Sequence, residues 1–167
     1  MIAALDVQYD NNDAVAGMVV FSTWSDRTPV ERIRYEMSDC VPYEPGQFYK
    51  RELPVLLQTL KQTGSCLQTV IVDGYVDLGG GRHGLGRHLF DALNGETSVV
   101  GVAKTRFEGN ECAIEVFRGA STRPLFVTAA GCTTQEAARR VKAMHGANRM
   151  PTLLKMVDSI ARGHEPY

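Results

Sequence analysis

The order of the apolar segments is the feature that most constrains how this chain can fold. Three β-compatible segments follow one another at the start, and they read IAALDVQY, AVAGMVVF and PVERIRYEM. Further along, continuous apolar runs alternate with segments of helical periodicity. VIV and SVVGVAK have the composition of strands buried on both faces of a sheet. The predicted order is three strands, a helix, a strand, a helix, three strands and two helices.

This order predicts an α/β fold with an RNase H-like mixed sheet flanked by helices. The first three strands form an antiparallel meander in this scheme, and later strands lie parallel to the first. Strands one and four become parallel neighbours. The 167 residues are enough for one domain, so a single domain over residues 1–167 is expected.

Composition narrows the classes of protein. The longest apolar stretches are too short to span a bilayer, and the N-terminal segment MIAALDVQYD lacks the basic region of a signal peptide. A cytoplasmic monomer is expected. The four cysteines have no C-x-x-C spacing, so free thiols are expected rather than a zinc site; they are Cys40, Cys66, Cys112 and Cys132.

Charge is unevenly distributed along the chain, although its net value is only −1. Residues 1–99 contain 8 basic and 13 acidic side chains, whereas residues 100–167 contain 10 and 6. An acidic half beside a mildly basic half fits a metal centre next to a polyanion. It fits an ordinary solvated surface slightly better, so charge alone does not decide between the two.

Two aspartates interrupt or end predicted strands. Asp6 lies between Leu5 and Val7, and Asp73 directly follows Val-Ile-Val. An ionised carboxylate in such a place is costly unless it is compensated, and two neighbouring carboxylates repel unless a cation lies between them. Mg²⁺ suits this position, because it binds a few carboxylates together with waters and phosphate oxygens and promotes phosphodiester cleavage. The alternative is a turn or capping role, which is serious for Asp73 because Asp-Gly is a common turn.

Other candidates have equally concrete alternatives. Glu52 in the first predicted helix is a candidate third carboxylate or a solvated helix residue. Lys104 ends a buried strand. It is a candidate phosphate-binding residue, or a lysine whose aliphatic carbons pack along the rim of the sheet. Tyr43, between two prolines, is a candidate wedge in a base stack or a packing tyrosine. Gly46 and Gly74 allow a ligand to approach the backbone closely, or they are ordinary turn glycines.

The ordered segments together resemble the endonuclease V family over nearly the whole chain. They are LDVQY, PYEPGQFYKRELP, VIVDG, VGVAKTRF, AGCTTQEAARRV and RMPTLLKMVDSIA. The resemblance implies an RNase H-like fold and an endonuclease that depends on Mg²⁺, with Mn²⁺ as the alternative metal. The implied partner is nucleic acid, DNA or RNA, cut near inosine or deoxyinosine.

The resemblance also assigns roles to particular residues. Asp6, Glu52 and Asp73 match the catalytic carboxylates that bind the metal, and Lys104 matches the catalytic lysine after the next strand. The positions that match nucleic-acid contacts are those of the wedge and of the flipped-base pocket: Tyr43, Pro45, Gly46, Phe48 and Gly74.

The chain departs from the family pattern at several positions. A histidine of the glycine-rich motif falls on Gly79, with His83 nearby, and a histidine expected close to the metal falls on Cys132. Glu44 places a charge in the wedge. Three hypotheses therefore stay open: an active endonuclease, a nucleic-acid binder that has lost cleavage, and a nuclease directed at another structure such as flaps or mismatches.

Overall fold

The computed structural model describes residues 1–40 and 47–164. Its strands are β1 (Ile2–Asp10), β2 (Asp13–Phe21), β3 (Glu31–Met37), β4 (Thr69–Asp73), β5 (Asp77–Gly79), β6 (Arg82–His83), β7 (Ser98–Ala103), β8 (Ile114–Val116) and β9 (Leu125–Ala130). Its helices are α1 (Phe48–Leu60), α2 (Leu85–Ala92), α3 (Thr134–Ala143) and α4 (Thr152–Ala161).

Seven of these strands form one mixed sheet in the spatial order β3-β2-β1-β4-β7-β9-β8. The first three strands pair as the predicted antiparallel meander. β4 pairs in parallel with both β1 and β7, which confirms the predicted neighbourhood of strands one and four. β9 then runs antiparallel to β7 and to β8, so only the centre of the sheet is parallel.

The short hairpin of β5 and β6 is absent from the sequence prediction. It lies in the glycine-rich stretch between β4 and α2, where no apolar alternation indicates a strand. Gly79, Gly80 and Gly81 all have positive φ angles, which glycine adopts without a steric cost. This turn therefore depends on backbone freedom rather than on side-chain pattern.

The two faces of the sheet bury separate cores. Alternate residues of the central strands, such as Ala4, Ile71 and Val100, pack against α3 and α4. The residues between them pack against α1 and α2 on the other face, and Val70 and Val72 are examples. Because side chains alternate along a strand, the first face is also the one that receives the side chains at positions 6, 73 and 104.

The N-terminus of α3 is fixed as its sequence indicates. Thr133 is the N-cap, and its hydroxyl accepts a hydrogen bond from the backbone N–H of Glu136. Within residues 1–40 and 47–164, every helix is too short or too polar to cross a membrane.

Candidate active site

Three of the predicted site residues meet where β4 and β7 end. Asp73 is the last residue of β4 and lies opposite Val102 of β7, so Lys104, two residues later, projects from the same face. Asp6 is one residue beyond the last parallel pair of β1 and β4, which places it beside Asp73. Nζ of Lys104 donates a hydrogen bond of 2.7 Å to Oδ2 of Asp73. The parallel register thus brings two carboxylates and one ammonium together.

α4 adds a carboxylate that the sequence prediction did not include. Asp158 lines the same pocket as Lys104 and the two strand aspartates. It lies four residues after Leu154, which is buried against the sheet, so Asp158 belongs to the apolar side of its helix. Nε of Arg162 donates a hydrogen bond of 3.0 Å to its Oδ2. An acid at helical spacing within an apolar stripe was the signal available in the sequence.

Glu52 reaches this region from α1, on the other side of the sheet. Its side chain is only 5% exposed, which excludes the solvated helix residue considered as its alternative. Its Oε2 is buried and has no hydrogen-bond partner within residues 1–40 and 47–164. Burial, followed by the negative charges of Asp6 and Asp73, raises the pKa of Glu52 to about 8.

The acidic and basic side chains at this point of the sheet shift one another's pKa values. Burial, followed by the charge of Asp73, raises the pKa of Asp6 to about 6, although Lys104 opposes the change. Burial also disfavours the charged form of Lys104, but the hydrogen bond and charge of Asp73 and the charges of Asp6 and Asp158 together raise its pKa. One ammonium therefore serves several carboxylates and does not neutralise them all.

This donor set fits a hard divalent cation. Among the described residues, no three His, Cys, Asp or Glu side chains already form a metal-binding cage. Mg²⁺ does not require one, because it binds through one or two carboxylates and retains several waters. All the converging ligands are carboxylate oxygens, and the unpartnered buried Oε2 of Glu52 is the kind of atom that a cation or its water satisfies.

A second pocket adjoins the carboxylates through Asp73. It has a volume of about 250 Å³, and Asp73, Phe48, Gly74, Tyr75 and His83 are among the residues that line it. The Phe48 side chain is 46% exposed. Gly74 has a φ of +123°, and no atom of the described residues lies within 4 Å of the position that its Cβ would take. Two of the predicted base-contacting residues, Phe48 and Gly74, thus share one pocket.

Two histidines stand beside this pocket. The His88 ring stacks on the Tyr49 ring with centroids 3.6 Å apart, and the His83 ring meets that of His88 edge-on at 5.9 Å. Burial and the neighbouring His83 lower the pKa of His88. The sequence shows no metal-ligand spacing for these histidines, and their place beside the pocket follows from the unpredicted hairpin.

The remaining predicted nucleic-acid contacts are Tyr43, Pro45 and Gly46. These residues, together with Glu44, lie outside the described part of the chain.

The expectation that position 132 lies close to the metal is wrong. Cys132 follows β9, whose Ala130 pairs with Val99 at the beginning of β7. It lines a pocket with Thr69 and Ser98, the first residues of β4 and β7. Lys104 directly follows the other end of β7. At the usual rise per residue of a strand, it lies about 20 Å from Ser98.

The departure at Gly79 has a steric explanation. Its φ is +79°, and an added Cβ would lie 2.5 Å from the backbone oxygen of Gly109. A histidine at this position would force the β5–β6 hairpin away from the loop that carries Gly109. His83, four residues later, instead faces the pocket.

Comparison with known proteins identifies the class. The family model described as endonuclease V matches residues 1–123. An endonuclease V from Dehalococcoides mccartyi is 32% identical over 111 residues, which are 65% of this chain and 48% of that protein. One from Streptomyces coelicolor is 32% identical over 152 residues, which are 87% of this chain and 59% of that protein. The chain spans about half the length of the curated relatives it matches.

Solved structures agree on the fold. The crystal structure of Ciona intestinalis endonuclease V, in complex with a 23mer DNA containing an inosine followed by a ribo-adenosine, has a TM-score of 0.81 and 21% sequence identity. The match covers 97% of this chain and 83% of that one. The sheet and its helices therefore define an RNase H-like nuclease fold, as predicted. Within that class, the chain belongs to the endonuclease V family.

Proposed function

We propose that this chain is a metal-dependent endonuclease that hydrolyses a phosphodiester bond of nucleic acid near inosine or deoxyinosine. The observation that carries the proposal is that Asp73 belongs both to the carboxylate cluster and to the pocket of Phe48 and Gly74. A base held in that pocket would place its own backbone next to the carboxylates. The site of cleavage would then lie next to the pocket that recognises the base.

The charge arrangement favours a nuclease over a protein that only binds nucleic acid. Asp6 and Glu52 are buried acids with raised pKa values, and they lie where a polyanion would approach. Without a cation, such acids would repel phosphate and would cost folding free energy. A binding protein gains nothing from keeping them, whereas a metal-dependent nuclease requires them.

In the proposed site the metal would be held by Asp6 and Asp73, with Glu52 and Asp158 as further oxygen donors. When bound, Mg²⁺ or Mn²⁺ supplies a positive charge that activates water and stabilises the charge on the phosphate. The site residues that we assign are unchanged from the sequence hypothesis except for the addition of Asp158.

The chain's own side chains account for the other requirements of the reaction. Lys104 holds a proton on Nζ and donates it in a hydrogen bond to Asp73, and the same ammonium can turn to a phosphate oxygen. With a pKa raised to about 8 by burial, Glu52 would hold a proton at neutral pH in the absence of a cation, and cation binding would release that proton. Phe48 offers an exposed ring on which a base would stack, and Gly74 lets the base approach the backbone.

The wedge and pocket residues outside the described ranges complete the proposal. Tyr43 and Pro45 would open the strand beside the modified base, and Gly46 would border the base pocket. We place these roles within one domain, with DNA and RNA both as candidate substrates.

The test is a cleavage assay on end-labelled DNA and RNA strands, each with one inosine and each matched to an inosine-free strand. The protein and its Asp6→Asn variant are incubated with Mg²⁺ or with a chelator. We expect a Mg²⁺-dependent cut near inosine that the variant does not make.

The other results discriminate between the alternatives. Equal cutting of the inosine-free strands would replace the proposal with a nuclease of different specificity. Binding of the inosine strand without cutting, by a folded protein with Mg²⁺ present, would contradict the proposed reaction and support a nucleic-acid binder.

A further inference from the structure

The loop that follows Lys104 presents a second aromatic surface, outside the base pocket. The Phe107 side chain is 36% exposed. The hydroxyl of Tyr75 donates to the carbonyl of Thr105 at 2.7 Å and accepts from the N–H of Phe107 at 3.1 Å. The two rings also meet edge to face, with centroids 6.1 Å apart. Tyr75 therefore holds both the backbone and the ring of Phe107 in place.

A guanidinium completes this surface. Arg82, from β6, lies 5.1 Å from the centroid of the Phe107 ring. The two segments are tied together, because Nδ2 of Asn110 donates to the carbonyl of Asp77 at 2.7 Å. Gly79 also meets the backbone of the same loop closely. The pair of Phe107 and Arg82 is thus built on a fixed platform rather than on a loose loop.

The position of the platform relates it to the proposed site. Tyr75 lines the base pocket and also supports Phe107, so its ring separates the two surfaces. Lys104, which faces the carboxylates, is three residues before Phe107 in the chain. A strand with its phosphate at Lys104 and one base in the pocket would pass a neighbouring base over Phe107.

Charge indicates which part of a nucleotide this surface recognises. Residues 104–113 contain two basic and two acidic side chains, so the loop has no net charge. Phosphate attraction alone would not select it. An exposed aromatic ring with an adjacent arginine is, however, the combination on which unpaired bases stack in single-stranded nucleic-acid sites.

We propose that Phe107, together with Arg82, forms a stacking site for one unpaired base adjacent to the base in the Phe48–Gly74 pocket. The inference rests on the proposed function and deepens it, because it assigns a second base contact to the same strand. It implies that the natural substrate is unpaired on at least one side of the modified base.

The experiment compares Phe107→Ala with Phe117→Ala, a phenylalanine that is 49% exposed but lies beside β8 and α3. Binding of a single-stranded inosine DNA is measured by fluorescence anisotropy with Mg²⁺ present, and every protein carries Asp6→Asn so that the strand is not cut. We expect Phe107→Ala to weaken binding about tenfold, Phe117→Ala to leave it within about twofold, and Phe107→Trp to retain it.

Abasic substrates identify the base that stacks on Phe107. In a series of the same strand, one nucleotide at a time on either side of inosine is made abasic. At one position the abasic strand should bind the protein that retains Phe107 about tenfold more weakly, and Phe107→Ala should cause no further loss there. The slope of log Kd against log salt should be unchanged by Phe107→Ala, because no phosphate contact is removed.

The failures of the two proposals are distinguishable. Equal affinity of Phe107→Ala and Phe117→Ala, or a loss from Phe107→Ala that persists on every abasic strand, would overturn the stacking site while leaving the nuclease proposal intact. An unsubstituted protein that neither binds nor cuts the inosine strand would overturn both.

Discussion

The two ends of the parallel strands differ in how far their acidic side chains are compensated by nearby partners. At the end where β1, β4 and β7 begin, here called the amino end, acids are satisfied locally. The Glu136 carboxylate pairs with Arg140, whose guanidinium lies 5.7 Å from the Trp24 ring centroid. In the turn after β2, a hydrogen bond from the Thr23 hydroxyl, with those from the backbone N–H groups of Thr23 and Ser22, lowers the pKa of Asp26. These groups stabilise their surroundings as charged side chains usually do.

At the end where β4 and β7 stop, here called the carboxyl end, Asp73 and Asp158 each have a basic partner, but the buried acids are only partly compensated. Glu52 has an unpartnered buried oxygen, and the pKa values of Glu52 and Asp6 are raised mainly by burial. The same chain can therefore pair its acids, yet here it leaves a buried oxygen of Glu52 unsatisfied among the described residues. Destabilising arrangements of this kind concentrate where a ligand supplies the missing interaction. From this contrast we infer that the acids at the amino end stabilise the fold, whereas those at the carboxyl end serve the reaction.

The largest effect expected from this contrast is on cleavage. Asp73→Asn removes a charge from the proposed metal site, so we expect the cleavage rate to fall about a hundredfold or more while the free energy of unfolding changes little. Asp158→Asn should lower the rate in the same direction. Single-turnover cleavage of an inosine strand and urea unfolding measure the two quantities.

Asp26→Asn is the matched control at the amino end. It removes a carboxylate that holds a turn, so it should leave the cleavage rate within about twofold and lower the free energy of unfolding only slightly. A rate loss in Asp26→Asn as large as in Asp73→Asn would remove the distinction between the two ends.

The sequence predicted the sheet well because the sheet depends on patterns that sequence displays directly. Continuous apolar runs identified β4 and β7, and an aspartate inside or after such a run was informative because burial of a charge is costly. Asp158 was missed, since an acid on a helix is ordinarily solvated, and its helical spacing from Leu154 becomes decisive only with the packing of α4. Cys132 was misplaced because motif order does not reveal at which end of an antiparallel strand a residue falls.

The β5–β6 hairpin and the positions of the two histidines could not be predicted from the sequence. Gly79 and its neighbours specify a turn through positive φ angles, which leave no hydrophobic period in the sequence. The contact between His88 and Tyr49 joins two helices that are far apart in the chain. Such contacts follow from the tertiary arrangement, and neither residue type indicates them alone.

The next largest effect is on the pH dependence of stability. The pKa of Glu52 is about 8 in the folded protein against an ordinary value of 4.5, so the folded state holds this proton more tightly than the unfolded state. Stability should therefore be fully present below about pH 4.5, as far as Glu52 is concerned, and should decline as the pH rises toward about 8. Asp6 acts in the same direction over a lower window, from 3.8 to about 6.

Glu52→Gln sharpens this prediction. The amide keeps the shape of the protonated acid and cannot ionise, so at pH 8 without metal it should raise the free energy of unfolding by about 1–2 kcal/mol. Glu136→Gln, at the amino end, should change it by no more than about 0.5 kcal/mol, because it breaks only an exposed helical ion pair. Chemical unfolding from pH 5 to pH 8 compares the two variants, and a parallel pH profile for both would refute the assignment of Glu52.

A smaller effect is expected in the platform beside the carboxyl end. Gly79 and Gly80 both have positive φ angles, but only an added Cβ at Gly79 would meet backbone, whereas nothing lies within 4 Å at Gly80. Gly79→Ala should therefore cost about 1 kcal/mol more in stability than Gly80→Ala. Equal losses in thermal unfolding would show that the close approach of Gly109 does not matter.

The smallest effect is expected at Cys132. Because this thiol lies at the amino end, Cys132→Ser should leave the cleavage rate and its Mg²⁺ dependence within about twofold of the unsubstituted protein. A tenfold rise in the Mg²⁺ concentration needed for cleavage would place this residue in the metal site after all.

The most direct measurement of the central claim is titration of the metal-free protein with Mg²⁺ by isothermal calorimetry at pH 7, in two buffers of different ionisation enthalpy. We predict binding with net release of protons, since the pKa values of Asp6 and Glu52 are raised in the metal-free state. Asp73→Asn should lose this signal and Asp26→Asn should keep it. Absence of binding to the folded protein, or binding that Asp73→Asn leaves unchanged, would contradict the claim that the carboxyl end is left only partly compensated so that it binds a cation.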